Sequence, residues 1–236
     1  MSSSASEWDE KHRQALRDVA EDPADLVYEL WPLLRGMPAQ QLGRGVKPAS
    51  AGRPLLHGAE ALDLACGTGK NTLFLAEHGH HVTAVDWSGA ALDILEARAG
   101  QNGIPVQRFH KMEEVKLSRQ PGVDLLQADL EKIRLPVNRY HLVVCIRYLQ
   151  RTLFPQIERA LCTGGMLLVE TYTQAQLDFP GGPRNPGYLL QVGELRTAFP
   201  GLTVLFYREL RAGQGIASLL ARKSGDGIHN RGQNGN

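Results

Sequence analysis

From residue 61 to residue 222 the chain alternates short apolar runs with stretches of helical spacing, and that alternation predicts its elements. Residues 61–65, 82–85, 123–128, 141–146 and 166–171 have the length and apolar content of buried strands. Between them, residues 71–78, 88–100 and 153–161 read as helices. In the second of these, Ala91, Leu92, Leu95 and Ala99 share one face and Ser88 is placed to cap the start. Residues 104–109 can form a further strand and residues 110–120 are charged and mildly helical. With 123–128 as the third central strand, residues 104–122 become an insertion. Gly164 and Gly165 turn the chain into the fifth strand, 180–187 is a rigid irregular loop, and 192–199 reads as a short helix. Residues 202–207 and 216–222 are strands joined by 208–215, a link short enough for an antiparallel hairpin.

Upstream, residues 8–21 form a charged helix candidate, and residues 24–34 carry Leu26, Val27, Leu30, Trp31 and Leu34 at amphipathic spacing. Pro32 is expected to kink or shorten that second helix. Residues 36–58 are rich in Gly, Pro and Ala and read as a long loop, whereas 1–7 and 223–236 lack apolar content and are expected to be disordered. The predicted organisation is an N-terminal part (1–58) of helices and loop capping a site, an α/β domain (59–222), and a tail (223–236). Strands and helices in alternation define a doubly wound, Rossmann-like α/β sheet, mostly parallel with an antiparallel end.

Composition narrows the setting. A chain of 236 residues suits one full domain, 42% hydrophobic and 22% charged content is ordinary for a soluble globular protein, and a net charge of +1 gives no reason to expect a polyanionic partner. No apolar run reaches membrane-spanning length, and the opening MSSSASEWDEKHR has no apolar segment resembling a signal peptide. The cysteines, Cys66, Cys145 and Cys162, lack CxxC spacing, so the expectation is reduced thiols in a cytoplasm and no zinc site.

The chemistry concentrates in residues 61–86, a strand, a glycine-bearing turn, a helix and a second strand ending in an acid. Gly67 and Gly69 let the backbone turn sharply and a ligand approach closely, with the free N–H groups of the following helix facing it. Asp86, at the tip of the second strand, is placed to accept hydrogen bonds from a ribose diol. The plain alternative is a tight strand–helix turn with no ligand. A dinucleotide fingerprint needs a third glycine where Thr72 stands, and no Gly-x4-Gly-Lys-Ser/Thr run is present for a triphosphate. The favoured ligand is a nucleoside without phosphates.

Asp63-Leu64-Ala65-Cys66-Gly67-Thr68-Gly69 resembles motif I of the class I S-adenosylmethionine-dependent methyltransferases. The resemblance runs from about residue 59 to residue 222, and more loosely to Trp8 and Asp9. Residues 147–155, Gly164-Gly165, Glu170-Thr171-Tyr172, residues 183–190 and Gly193-Glu194-Leu195 look like the bacterial tellurite-resistance-type subgroup. The loop 36–58 and the segment 104–122 are longer than that family's pattern. The resemblance implies a seven-stranded sheet ending in an antiparallel hairpin, and S-adenosylmethionine as cofactor. It implies contacts from Asp63, Ala65, Gly67 and Gly69 around the cofactor's amino-acid part, from Asp86 and Trp87 at the ribose and adenine, and from Asp129 and Leu130 at the adenine. Cys145, Ile146 and Arg147 would line the floor near the sulfonium. Each has a plainer reading: Asp63 and Asp129 as caps, Trp87 as surface packing, Cys145 as core.

Methyl transfer from a sulfonium is an in-line displacement with an activated leaving group, so the protein chiefly aligns the partners and excludes water. The candidate catalytic residues are Arg147, Tyr148, Arg151, Tyr172 and Arg184, a cationic and phenolic set that favours a small anionic or soft acceptor such as a thiol or a chalcogen oxyanion. Arginines at a sheet end also commonly pair with local carboxylates or carbonyls. The Asn/Asp-Pro-Pro-Tyr/Phe run of amino-methylating enzymes is replaced by Cys145-Ile146-Arg147-Tyr148, the Pro-Cys of a cytosine enzyme is missing, and no basic aromatic patch points to RNA. His80-His81 reads as a solvated turn. The expectation is a methyltransferase for a small molecule, with no nucleic-acid or membrane partner. The alternatives are a nicotinamide-dependent oxidoreductase and a non-catalytic cofactor-binding or scaffold protein.

Overall fold

The computed structural model describes Ser6, Asp9, Glu10, residues 24–35 and residues 59–224. In chain order the elements are α1 (Asp25–Leu34), β1 (Glu60–Leu64), α2 (Lys70–Glu77), β2 (His81–Asp86), α3 (Gly89–Gln101), β3 (Val106–Phe109), β4 (Gly122–Gln127), β5 (Tyr140–Ile146), α4 (Phe154–Ala160), β6 (Leu161–Tyr172), α5 (Glu194–Thr197), β7 (Leu202–Ala212) and β8 (Gln214–Lys223). The strands form one sheet in the order β3-β4-β2-β1-β5-β6-β8-β7. All neighbours from β3 to β6 pair parallel, and β8 runs antiparallel to both β6 and β7.

The apolar strand residues alternate between the two faces. Ala61, Val82, Ala84, Leu142, Val144 and Leu168 face a core shared with α1, α2 and α3. Leu62, Leu64, Val85, Val143, Leu167 and Val169 face a second core with Leu153, Ile157, Leu195 and Phe199. Covering both faces makes the central strands continuously apolar, which is why their sequence runs are so plain. Helix α1 docks by Trp31, edge-on to Phe74 at 5.0 Å between ring centres, and by an Arg208–Glu29 ion pair of 2.9 Å to the hairpin.

β1 pairs with β2 on one side and β5 on the other, so the strand order reverses there. The loops leaving β1 and β5 part at this switch point and open a crevice at the carboxyl ends of the strands. Everything that follows is placed by that crevice.

Four expectations need correction. The sheet has eight strands, not seven, because the insertion supplies β3, which pairs parallel with β4 at the sheet edge while β4 takes the third central position beside β2. The rest of the insertion holds a single 3-10 turn, Met112–Glu114. The β7–β8 hairpin is longer than expected: the link reduces to a turn at Gly213, φ 74°. β6 begins at Leu161 and passes through Gly164 and Gly165 rather than starting after them. A Cβ on Gly165 would stand 2.8 Å from the Cys162 carbonyl and 3.0 Å from that of Tyr140, so only glycine fits. Helix α1 continues through Pro32 to Leu34, giving up the N–H that would have bonded the Tyr28 carbonyl. The predicted helix 8–21, apart from Asp9 and Glu10, the loop 36–58 and the tail after residue 224 lie outside the described residues. Among the described residues no helix is long and apolar enough to cross a membrane.

Candidate functional site

The loop from β1 to α2 turns through left-handed backbone at Ala65 (φ 55°), Gly67 (φ 54°) and Gly69 (φ 82°). Glycine is indispensable at 69, where a Cβ would lie 2.1 Å from Leu95 Cδ1 of α3. Ala65 takes the same conformation with a side chain, at a cost of about 1–2 kcal/mol. Strain of this kind persists only where the surroundings impose it.

Two carboxylates stand at this turn. Asp63, on β1 and 1% exposed, accepts a hydrogen bond from Thr72 Oγ1 at 2.7 Å. Burial pushes its pKa up to about 7, partly offset by the Thr72 hydroxyl and reinforced by the charge of Asp86. Thr72 occupies the place of the missing third glycine and is buried beneath Asp63. At the tip of β2, Asp86 accepts from the Gly67 N–H (2.7 Å) and the Ser88 N–H (2.9 Å). Among the described residues neither carboxylate has an ion-pair partner.

Asp9 joins the same end of the crevice. Its carboxylate accepts from Ser88 Oγ at 2.5 Å and from the Ala90 N–H at 3.2 Å, at the positive amino end of α3. Trp87 is half-buried beside Asp86, and its carbonyl accepts from Gln127 Nε2 at 3.1 Å. Asp129 accepts from the Glu131 N–H at 2.9 Å and pairs with Lys132 at 2.8 Å, and chiefly that lysine holds its pKa below the usual carboxylate range. Leu130 is buried in the second core.

On the far side of the switch point, β5 ends in Cys145 and Ile146. Cys145 lies beside Leu64 in register and is buried, which pushes its thiol up to about 12. Arg147 follows in left-handed backbone, φ 61°. Its guanidinium lies 3.3 Å from the buried Glu170, 3.1 Å from Gln214 Oε1 and 4.7 Å from the centre of the Tyr172 ring. Glu170 in turn accepts from Ser218 Oγ at 2.8 Å. Tyr148 is half-buried, and burial raises its phenol well above the ordinary tyrosine range.

The other two arginines are engaged elsewhere. Arg151 grips Glu194 through Nε (2.5 Å) and Nη2 (2.9 Å) and donates to the carbonyls of Gly187 and Leu189, so it staples the 185–194 loop. Its guanidinium first, then burial in the opposing sense, sets the Glu194 pKa below its usual value. Arg184 donates to the carbonyls of Leu177 (2.8 Å) and Phe179 (2.6 Å) and closes its own loop. The structure thus brings Asp63, Ala65, Gly67, Gly69, Asp86 and Trp87 together at one lip of the crevice. Cys145, Ile146, Arg147, Tyr148 and Tyr172 stand at the other, with Arg151 and Arg184 in its supporting loops. Glu170, Gln214 and Ser218 received no role from the sequence. The one available signal was a carboxylate inside the apolar run of β6.

A glycine turn at a topological switch point, with a carboxylate on each of the first two strands, defines a Rossmann-like nucleoside-cofactor domain. Residues 62–169 match the family model described as a methyltransferase domain. The fold is similar to that of an S-adenosylmethionine-dependent methyltransferase from Mesorhizobium loti (TM-score 0.56, 20% identity, covering 82% of this chain and 97% of that one). It is also similar to TehB from Haemophilus influenzae (TM-score 0.56, 19% identity, 70% of this chain and 58% of that one). In sequence the chain is 37% identical over 82 residues to an uncharacterized RNA methyltransferase of Protochlamydia amoebophila. That match takes in 35% of this chain but only 15% of the relative's length.

Proposed function

We propose that the chain transfers a methyl group from S-adenosylmethionine to a small-molecule acceptor. The observation that carries this reading is the buried pair Asp63 and Asp86. They are two neighbouring carboxyl groups at the switch point with no ion-pair partner among the described residues. Such a pair favours a ligand that brings positive charge and hydroxyls together, and S-adenosylmethionine has an ammonium, a sulfonium and a ribose diol. The residues fit the group: Asp63 would hold the amino-acid part, Gly67 and Gly69 admit it closely, and Asp86 would take the ribose. When bound, the cofactor supplies a methyl group already activated by the sulfonium.

The remaining work of the chain is alignment and exclusion of water. The acceptor enters from the side of Cys145, Tyr148 and Tyr172, where the class of acceptor consistent with these residues is a thiol or a chalcogen oxyanion. A large polyanionic acceptor has no support from a net charge of +1. Calorimetry with S-adenosylhomocysteine tests the reading. Saturable one-to-one binding is expected, and no heat of binding at millimolar ligand overturns it.

A further inference from the structure

Asp9 lies 79 positions from Ser88 in the chain, yet its Oδ1 accepts from both the Ser88 hydroxyl (2.5 Å) and the Ala90 N–H (3.2 Å). Ser88 is fully buried and bonds in three directions. Its Oγ accepts from the Ala91 N–H at 3.1 Å, and its own N–H donates to Asp86 Oδ1 at 2.9 Å. Because the Ala91 N–H can only donate, the single hydroxyl proton of Ser88 goes to Asp9. The other Asp86 oxygen takes the Gly67 N–H at 2.7 Å. An unbroken line of hydrogen bonds therefore runs from Asp9 through Ser88 to Asp86 and on to the glycine turn. We propose that Asp9 is a positioning residue for the cofactor: through Ser88 it fixes the Asp86 carboxylate in the orientation that takes the ribose diol. The proposal rests on the methyltransferase reading and adds to it a residue outside the stretch 62–169 that matches the family.

Two features carry the line beyond a helix cap. First, only Trp87 and Ser88 separate β2 from α3, so a movement of Ser88 passes directly to the carboxylate two residues away. That short link is held from both sides: Gln127 Nε2 donates to the Trp87 carbonyl at 3.1 Å, and Asp9 holds Ser88. Second, Ser88 is buried, and a buried hydroxyl that loses its acceptor is costly enough for the residue to shift toward another. The N–H that steadies Asp86 shifts with it.

Ribose recognition is sensitive to such a shift. Among the described residues each Asp86 oxygen takes one backbone N–H, which leaves a lone pair on each for one hydroxyl of the diol. Hydrogen bonds weaken steeply as their angle departs from linear, so a turned carboxylate loses one or both.

The test is calorimetric titration of S-adenosylhomocysteine into the full wild-type chain and into Asp9→Ala, Asp9→Asn, Ser88→Ala, Asp86→Ala and the double variant Asp9→Ala/Asp86→Ala. Asp9→Ala is expected to raise Kd about three- to tenfold, and Ser88→Ala by a similar factor. Asp9→Asn keeps an oxygen for Ser88 and Ala90 and should recover most of the loss. In the Asp86→Ala background, Asp9→Ala should add less than about twofold, because the carboxylate it orients is gone. A residue that merely caps α3 would lower the melting temperature and leave Kd unchanged. One that supports the site in a general way would weaken binding by its full factor in the Asp86→Ala background as well. Either result overturns the proposal, as does an Asp9→Asn chain as weak as Asp9→Ala, which would place the effect in charge rather than in the hydrogen bond. Ser88→Ala cuts the same line at its middle and keeps the test open should Asp9→Ala fold poorly. Wild-type binding with an unchanged Kd in Asp9→Ala overturns this proposal alone, whereas failure of the wild-type chain to bind overturns the methyltransferase reading itself.

Discussion

At the amino ends of β1, β2, β4 and β5 the buried charges are paired inside the chain. Glu60, 4% exposed, accepts from the Ser118 N–H and faces Arg139 at 3.5 Å, and Arg139 also donates to the carbonyls of Val115 and Lys116. His81 meets Asp124 at 2.9 Å and the Gln120 carbonyl at 2.9 Å. At the carboxyl ends of the same strands Asp63 and Asp86 are buried together, the charge of Asp86 raising the cost of ionising Asp63, beside an alanine in left-handed backbone. The first end fastens the insertion to the sheet through these pairs. The second carries a left-handed alanine and two buried carboxyl groups without an ion-pair partner among the described residues, features that gather at ligand sites.

This contrast can be broken by substitutions at either end. The largest effect is expected at Asp63. Its folded pKa of about 7 lies above the ordinary 3.8, so the folded chain holds a proton that the unfolded chain has lost. Stability without ligand therefore falls as pH climbs from about 4 to about 7 and is flat above. Asp63→Asn should remove that slope and raise stability at pH 8 by about 2–4 kcal/mol, read by urea unfolding across pH, while weakening cofactor binding. A wild-type chain whose stability rises through that window would contradict the buried, protonated carboxylate.

Glu60→Ala, at the first end, should cost about 2–3 kcal/mol by leaving Arg139 buried without its carboxylate. The affinity for S-adenosylhomocysteine should not change, so thermal melts and calorimetry together separate the two ends. Loss of affinity there would mean that the ends are coupled. A smaller gain is expected from Ala65→Gly, about 0.5–1 kcal/mol in chemical denaturation, because glycine enters the left-handed region freely but loses more entropy on folding. A destabilised Ala65→Gly chain would show that the Ala65 backbone is not a source of strain.

The same contrast shows what could be read before any coordinates. The central strands are continuous apolar runs because helices cover both faces, and Gly67, Gly69 and Asp86 stand out by spacing alone. β3 has only four residues at an edge, two of them the exposed Gln107 and Arg108, so its signal was weak. The outer part of β7 carries Arg208, Glu209 and Arg211 and read as a link, yet it pairs along its length with β8. Partner choice was harder still. Arg151 finds Glu194 across 43 residues, and Arg147 meets Glu170 only because β5 and β6 pair in register. Local sequence shows that arginines gather near the crevice. Only tertiary structure shows which carboxylates and carbonyls they already hold.

The proposed pairing of Asp86 with the cofactor is the point on which the proposed site depends. Titrating S-adenosylhomocysteine into the wild-type chain and into Asp86→Ala measures it directly. A loss of about 1–3 kcal/mol in binding free energy is expected from removal of the charge-assisted hydrogen bonds to the ribose. An unchanged dissociation constant would contradict the ribose contact and, with it, the assignment of this end of the sheet to the methyl donor.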